Sequence, residues 1–348
     1  MRFSWWQTAH KNHGKSHRPK PQATHAKPEA TSRRSRRCRP SLEVLENRWA
    51  PAVVTVTTTA DDLTPNDGTV SLREAILAIN AGNTLGDPDI TAQNPGVFGS
   101  NDTIAFNIPQ PAGGPVVQTI NVGGSGNGAL PALTRPVLLD GYSEAGANAN
   151  TLASSDNATI LIELSGASAG PNANGLTLGT GGGMIVQGLA INRFNANGIL
   201  VESSHNTIAG DFVGTNPAGT VAEPNGLDGV RINSASDNTI GGTTVDARNV
   251  VSGNSFDGIH IVGSANAPTS NLVQGNFVGV NAAGTGSVGV RPDGSSAGTG
   301  AGNFRSGIEI SGGVVNTIGG SSPGAGNVIG YNLDGIELDN GAQNNVIQ

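Results

Sequence analysis

The stretch Asp257-Gly258-Ile259-His260-Ile261 decides the fold, because it recurs as Asp228-Gly229-Val230-Arg231-Ile232, Ser306-Gly307-Ile308-Glu309-Ile310 and Asp334-Gly335-Ile336-Glu337-Leu338. A weaker copy is Asn197-Gly198-Ile199-Leu200-Val201. Each copy sets a turn residue and a glycine before two aliphatic residues that flank a freely varying one. Such alternation is the pattern of a short strand with one buried face.

The glycines fall at 198, 229, 258, 307 and 335, spacings of 31, 29, 49 and 28 residues. Two further apolar motifs lie between them. One is Asn206-Thr207-Ile208, repeated at Asn238, Asn271, Asn316 and Asn345; the other is Phe212-Val213, Val250-Val251, Phe277-Val278 and Val328-Ile329. Three short strands and three turns per period make one rung of a parallel β-helix, each strand pairing with its counterpart about 4.8 Å away. Parity puts the Asn and Ile of Asn-Thr-Ile on one face, so these asparagines are expected to stack inside a turn, each amide bonding to the next rung. Asn206–Thr220 matches Asn271–Thr285, and Asn238–Asn254 matches Asn316–Asn332, so rungs alternate between two types. The offsets of these pairs, 65 and 78, imply an insertion of 13 residues within 291–304, whereas the glycine spacings imply nearer 20. The final Asn345-Val346-Ile347-Gln348 opens another rung, which leads to the expectation of a longer protein or a second body over that edge.

Composition agrees with strands and turns. Gly accounts for 52 of 348 residues, charged residues for 13% and aromatics for 4%, so aliphatic stacking must carry the burial. Residues 1–40 hold eleven of the nineteen Lys and Arg against one acid, Glu29, for a net +10; the remainder holds eight Arg, no Lys and twenty-five acids, for −17. The only cysteine, Cys38, lies in the basic part, which excludes a disulfide or thiolate metal site from the body. No run reaches the roughly 18 apolar residues of a membrane span.

The chain divides into a basic leader, 1–52, a segment of irregular first rungs, 53–195, and regular repeats, 196–348. The leader lacks apolar periodicity and reads as disordered. Its composition also suits a nucleic-acid-binding arm, but no folded basic face accompanies it. Ser41, Leu42, Leu45 and Trp49 are spaced for a short amphipathic helix ending at Pro51. The run Arg39-Pro40-Ser41-Leu42-Glu43-Val44-Leu45-Glu46-Asn47-Arg48 resembles the N-terminal sorting motif of planctomycete surface proteins, R-P-x-L-E-x-L-E-x-R, with Trp49-Ala50 in place of the usual Leu-Leu. The resemblance implies export to the cell surface or beyond. An accidental helix in a structureless tail is the alternative.

In the next segment, Val53–Thr58 reads as a first strand, Asp61–Gly68 as a turn, and Ser71-Leu72-Arg73-Glu74 as a capping box. Leu72, Ala75, Ile76 and Ile79 follow at helical spacing up to Asn80–Asn83, giving one helix suited to cover the first open edge of the stack. Asp67–Ile76 resembles the C-S-L-R-E-A segment at the start of bacterial surface β-helix proteins, with Val70 where that family has cysteine. Further strands are expected at 102–108, 116–122, 136–140, 159–164, 175–178 and 184–191, either as first turns of the solenoid or as a separate small β domain.

The fold therefore resembles that of the pectate lyases: all-β, a right-handed parallel β-helix with a short N-terminal capping helix. That resemblance raises a polysaccharide lyase or hydrolase, whose chemistry takes a base, cationic charge such as Ca²⁺ with Arg or Lys, or paired carboxylates. No Lys follows Lys27, and Arg193, Arg231, Arg248, Arg291 and Arg305 occupy differing rung positions, which is expected to scatter them. Asp228, Asp257 and Asp334 read as turn residues. No catalytic residue, cofactor or metal site stands out, and nothing in the pattern supports Ca²⁺. The one chemically distinct column is the outward position of the opening motif, Arg231, His260, Glu309 and Glu337 after Leu200, expected as a solvated polar stripe, with a shallow site for a glycan or a cation as the alternative. A structural, adhesive or glycan-binding surface protein, with a surface polysaccharide or another cell-surface protein as partner, is the expectation.

Overall fold

Three wholly parallel sheets of nine, seven and six strands stack rung upon rung in a computed structural model that describes residues 50–263, 270–288 and 302–348. The chain is a parallel β-helix. The leader up to Trp49, with its expected helix and sorting motif, and most of the expected insertion lie outside the described residues. The first sheet runs from Val53–Val56 through Thr207–Ala209 to Val346–Ile347, the second from Gln118–Asn121 to Val328–Ile329, and the third from Leu176–Leu178 to Asp334–Asp339. All three sheets draw strands from both 53–195 and 196–348. The irregular segment thus pairs directly with the repeats.

Register turns each inward position into a continuous apolar column. In the first sheet Val54, Ile104, Leu139, Val186, Ile208, Ile240, Val273, Ile318 and Ile347 are successive partners. In the third, Ile199, Val230, Ile259 and Ile308 do the same, each fully buried. A one-residue slip would expose the whole column, so aliphatic burial of about 1.5–3 kcal/mol per side chain also fixes register.

The expected asparagine stack is present. Asn206, Asn238, Asn271 and Asn316 each donate Nδ2 to the Oδ1 of the next, ending on Asn345, at 2.9, 3.1, 2.9 and 3.0 Å. The same Oδ1 atoms accept the backbone N–H of the preceding asparagine. A second ladder, Asn249–Asn276–Asn327, begins at Asp211, and a third runs Asn225–Asn254–Asn303–Asn332. The third ladder explains the recurrent glycine better than turn chemistry does. A Cβ on Gly258 would stand 2.6 Å from both Asn303 Nδ2 and the Gly307 carbonyl oxygen, and Gly229 meets Asn254 and Gly258 in the same way. The motif glycine makes room for an interior amide.

The helix occupies Leu72–Ala81 with both halves of its capping box formed: Ser71 N–H donates to Glu74 Oε2 at 2.8 Å and Glu74 N–H to Ser71 Oγ at 3.1 Å. Leu72, Ala75, Ile76 and Ile79 join the core beside Val54 and Ile104, and Val70 is buried with them. The helix packs against the first strand at that end of the core, while the backbone groups along the strand's free edge are met by other residues. Gln93 Oε1 accepts from Thr55 N–H and its Nε2 donates to the Thr55 carbonyl, both at 2.8 Å, while Val53 N–H donates to the Pro95 carbonyl. Gln93 sits just past a second short helix, Pro88–Ala92, which the reading of a single helix omits although Asp87-Pro88 is a good cap followed by a first-turn proline. The strand expected over 184–191 is two, Ile185–Gln187 and Leu189–Asn192, because Gly188 turns the chain between sheets at φ 74°.

Outside the second sheet a separate apolar cluster forms from Ile160, Ala190, Phe212, Val250, Phe277, Val280 and Ala282. Arg248 stacks 4.3 Å from the Phe277 ring and donates to the carbonyls of Leu152, Ala153 and Ser155, pinning that loop. The outer face of the second sheet is thereby covered over the rungs from Ala190 to Phe277.

Two predictions follow from the turns. The residue before each asparagine of the first ladder, His205, Asp237, Ser270, Val315 and Asn344, has φ from 55° to 65°, and Val315 alone is β-branched, at 58°. Val315→Asn is expected to stabilise the protein by about 1 kcal/mol, since left-handed backbone costs a branched side chain most; the urea midpoint measures it. Asp211 is fully buried, and burial pushes its carboxyl well above the usual range despite the Leu189 N–H bond that pulls it down. Its Oδ2, which corresponds to the amide nitrogen of Asn249 and Asn276, has no hydrogen-bond partner among the described residues. Stability from this group is full below the unfolded carboxylate value of about 3.9 and is lost as pH rises through the elevated folded value. Asp211→Asn is expected to raise the urea midpoint more at pH 8 than at pH 5.

Candidate functional site: a charged column on the third sheet

Strand pairing aligns Leu200, Arg231, His260, Glu309 and Glu337 on successive rungs, as their spacing implies. The expected solvated stripe is corrected by the burial. Side-chain exposure falls from 31% at Arg231 to 12% at His260 and 6% at Glu309, and Glu337 is half-buried. The reason lies in the turn that precedes each of these strands.

A fourth ladder runs through that turn, and it changes chemistry midway. Asn197 donates its N–H and Nδ2 to Asn174 Oδ1 at 3.1 and 2.9 Å; Asp228 N–H then donates to Asn197 Oδ1 at 3.3 Å, Asp257 N–H to Asp228 Oδ1 at 3.2 Å, and Ser306 N–H to Asp257 Oδ1 at 2.8 Å. Asp228 and Asp257 therefore hold the turn, as expected, through one oxygen each. The second oxygen of each carboxylate has no amide proton to give and is left to face the column.

Asp228 Oδ2 accepts from Arg231 Nη1 at 2.9 Å and lies 3.1 Å from His260 Nδ1, which is itself 3.1 Å from Arg231 Nη1. His260 Nδ1 is 3.8 Å from Asp257 Oδ2, and its Nε2 is 3.4 Å from Glu309 Oε1. Arg305 Nη1 stands 4.0 Å from Glu309 Oε2. Glu337 accepts from Ser306 Oγ at 2.7 Å. Arg231, His260 and Glu309 thus meet in one cluster that also takes in Asp228, Asp257 and Arg305. Glu337 stands one rung beyond.

Electrostatics divide the two aspartates. Burial raises the Asp228 carboxyl, but the hydrogen bond and charge of His260, with the Arg231 and Asp257 N–H bonds, outweigh it and hold the group below its ordinary value. Asp257 is pushed up to about 7 by burial and by the facing Glu309 carboxyl, with the Ser306 N–H pulling down and the charges of Asp228 and Glu309 adding to the rise. Asp257 Oδ2, His260 Nε2 and Glu309 Oε2 are buried and find no hydrogen-bond donor or acceptor of ordinary protonation among the described residues, the two carboxyls facing each other. One ligand atom from each of Asp228, Asp257 and His260 lies within 4.8 Å of the other two, the grouping among the described residues with the reach to hold a metal ion.

The arginines are less scattered than their rung positions suggest. Arg231 and Arg305 both reach this cluster, while Arg193 pairs with Glu163 and Glu223, and Arg248 holds its loop. Arg291 lies outside the described residues. The signal for Asp228 and Asp257 was present in the sequence: a carboxylate at a position where earlier rungs carry Asn174 and Asn197. Among the described residues no helix is long and apolar enough to cross a membrane. No family model matches the chain, and no curated protein matches it.

Proposed function

We propose that the chain is an exported cell-surface or extracellular scaffold that binds a surface polysaccharide through the outer face of its third sheet without transforming it. The observation that carries this reading is the in-register column Arg231, His260, Glu309 and Glu337. An extended ligand lying along the stack meets a titratable side chain at each rung, about every 4.8 Å. The second sheet offers no comparable face over its middle rungs, where the outward positions are covered by the Phe212–Phe277 cluster. Export is supported by the resemblance of 39–48 to the sorting motif and of 67–76 to the surface-protein segment.

A second reading has one observation in its favour. A carboxyl held at about 7 beside an imidazole is what general acid–base catalysis of a polysaccharide lyase or hydrolase requires. The full chain is therefore to be tested on pectin, alginate and sulfated glycans, both for binding and for reducing sugar or unsaturated product. Binding without product is expected, weakened about tenfold or more by Arg231→Ala with Glu337→Ala. Product formation that Asp257→Asn abolishes would establish the enzyme instead; binding unchanged in the double variant would remove the third sheet from the interface.

A further inference from the structure

We propose that Asp228, Asp257 and His260 form a binding site for a borderline first-row divalent ion of the Zn²⁺ class, with Glu309 orienting the histidine. The inference concerns the cluster itself and stands whether or not the face binds a glycan.

Geometry comes first. Tetrahedral coordination with bonds of about 2.0–2.2 Å places donor atoms roughly 3.4 Å apart. His260 Nδ1 is 3.1 Å from Asp228 Oδ2 and 3.8 Å from Asp257 Oδ2, values on either side of that spacing. Both carboxylates are held by their other oxygen: Asp228 Oδ1 accepts the Asp257 N–H and Asp257 Oδ1 the Ser306 N–H. Ligands fixed by such outer bonds need little reorganisation on loading.

An independent observation is the unpartnered buried chemistry beside them. Glu309 is 5% exposed, its Oε2 has no hydrogen-bond partner among the described residues, and its Oε1 lies 3.4 Å from His260 Nε2. With Nδ1 turned to an ion, the remaining ring proton sits on Nε2, 3.4 Å from Glu309 Oε1, a contact that needs realignment of the two groups to become a hydrogen bond. A carboxylate in that place is the usual partner of a metal-bound histidine, fixing the tautomer and raising ligand basicity. Asp257 Oδ2 has no donor among the described residues beyond a proton shared with the facing Glu309 carboxyl, and a cation would take the place of that proton.

The donor set selects the ion. One imidazole nitrogen with two carboxylates suits Zn²⁺ or a neighbouring ion, whereas Ca²⁺ takes six to eight oxygens. Arg231 Nη1 stands 2.9 Å from Asp228 Oδ2 and 3.1 Å from His260 Nδ1, so the guanidinium competes with an ion for both atoms and must swing away on loading. Its side chain is 31% exposed and has solvent to move into.

The test is calorimetric titration of Zn²⁺ into the chelator-stripped full chain and its variants. His10, His13, His17, His25 and Cys38 offer ligands of their own, so the reading is the difference in stoichiometry between chains. Wild type is expected to bind one equivalent more than Asp257→Asn and than His260→Gln, and Glu309→Gln to weaken that equivalent about 10–100-fold. Asp257→Asn keeps the oxygen that serves Ser306 and restores the residue the ladder carries at 174 and 197, so this variant decides the matter even where His260→Gln does not fold. Equal stoichiometry in wild type and Asp257→Asn overturns the proposal, as does displacement of the extra equivalent by millimolar Ca²⁺.

Discussion

Everything in this molecule depends on how the buried turns between sheets satisfy their polar groups. Within a strand each N–H and C=O meets the next rung, but at the corners the backbone turns away from the ladder and an unpaired buried group there costs about 1–3 kcal/mol. Asparagine solves the problem because it both accepts and donates along the stack. One Oδ1 takes two donors from the rung before, and Nδ2 passes a bond to the rung after. The left-handed residue ahead of Asn206, Asn238, Asn271, Asn316 and Asn345, and the glycine that clears space beside Asn225, Asn254, Asn303 and Asn332, follow from seating those amides.

Aspartate in such a ladder shows what the asparagine was for. It can accept from a backbone N–H but, when ionised, has nothing to donate. Where the stack is closed, as at Asp211, burial wins and the carboxyl stays far above its usual range. At Asp228 the turn borders the outer face of the third sheet, and Arg231 and His260 stand within about 3 Å of the free oxygen. The carboxylate is then held in its charged form. One replacement yields an internal defect in the first place and a polar cluster in the second, and local partners decide between them.

The legible part of the fold was its period. Inward aliphatic residues recur at fixed positions because a parallel stack permits no slip, so the three strands per rung and the register of the Arg231–Glu337 column could be read from spacing alone. The first asparagine stack was visible for the same reason. The other three ladders were hidden because their members sit in turns of varying length, with Asp, Ser and Asn sharing one column. The covering of the first edge by Gln93 was also hidden, since a side chain that imitates a strand partner leaves no pattern in sequence. Of the cluster, the column members were found and the two aspartates were assigned to the turn. That assignment was half of their role, because a carboxylate has two oxygens and the turn uses one.

Repetition also explains where a distinct site can arise in such a chain. A residue common to every rung serves the stack, so specific chemistry needs a column whose identity changes from rung to rung. The outer column of the second sheet changes too, from Glu163 to Ala190, Phe212, Val250 and Phe277, but it does so toward apolar residues that loops then bury. On the third sheet the change runs the other way, from Thr177 and Leu200 to Arg231, His260 and Glu309. It coincides, rung for rung, with the passage of the neighbouring ladder from Asn174 and Asn197 to Asp228 and Asp257. Two adjacent columns that turn charged together, one of them at a cost in desolvation, make the middle rungs of the third sheet the place in the described stack where buried charge collects.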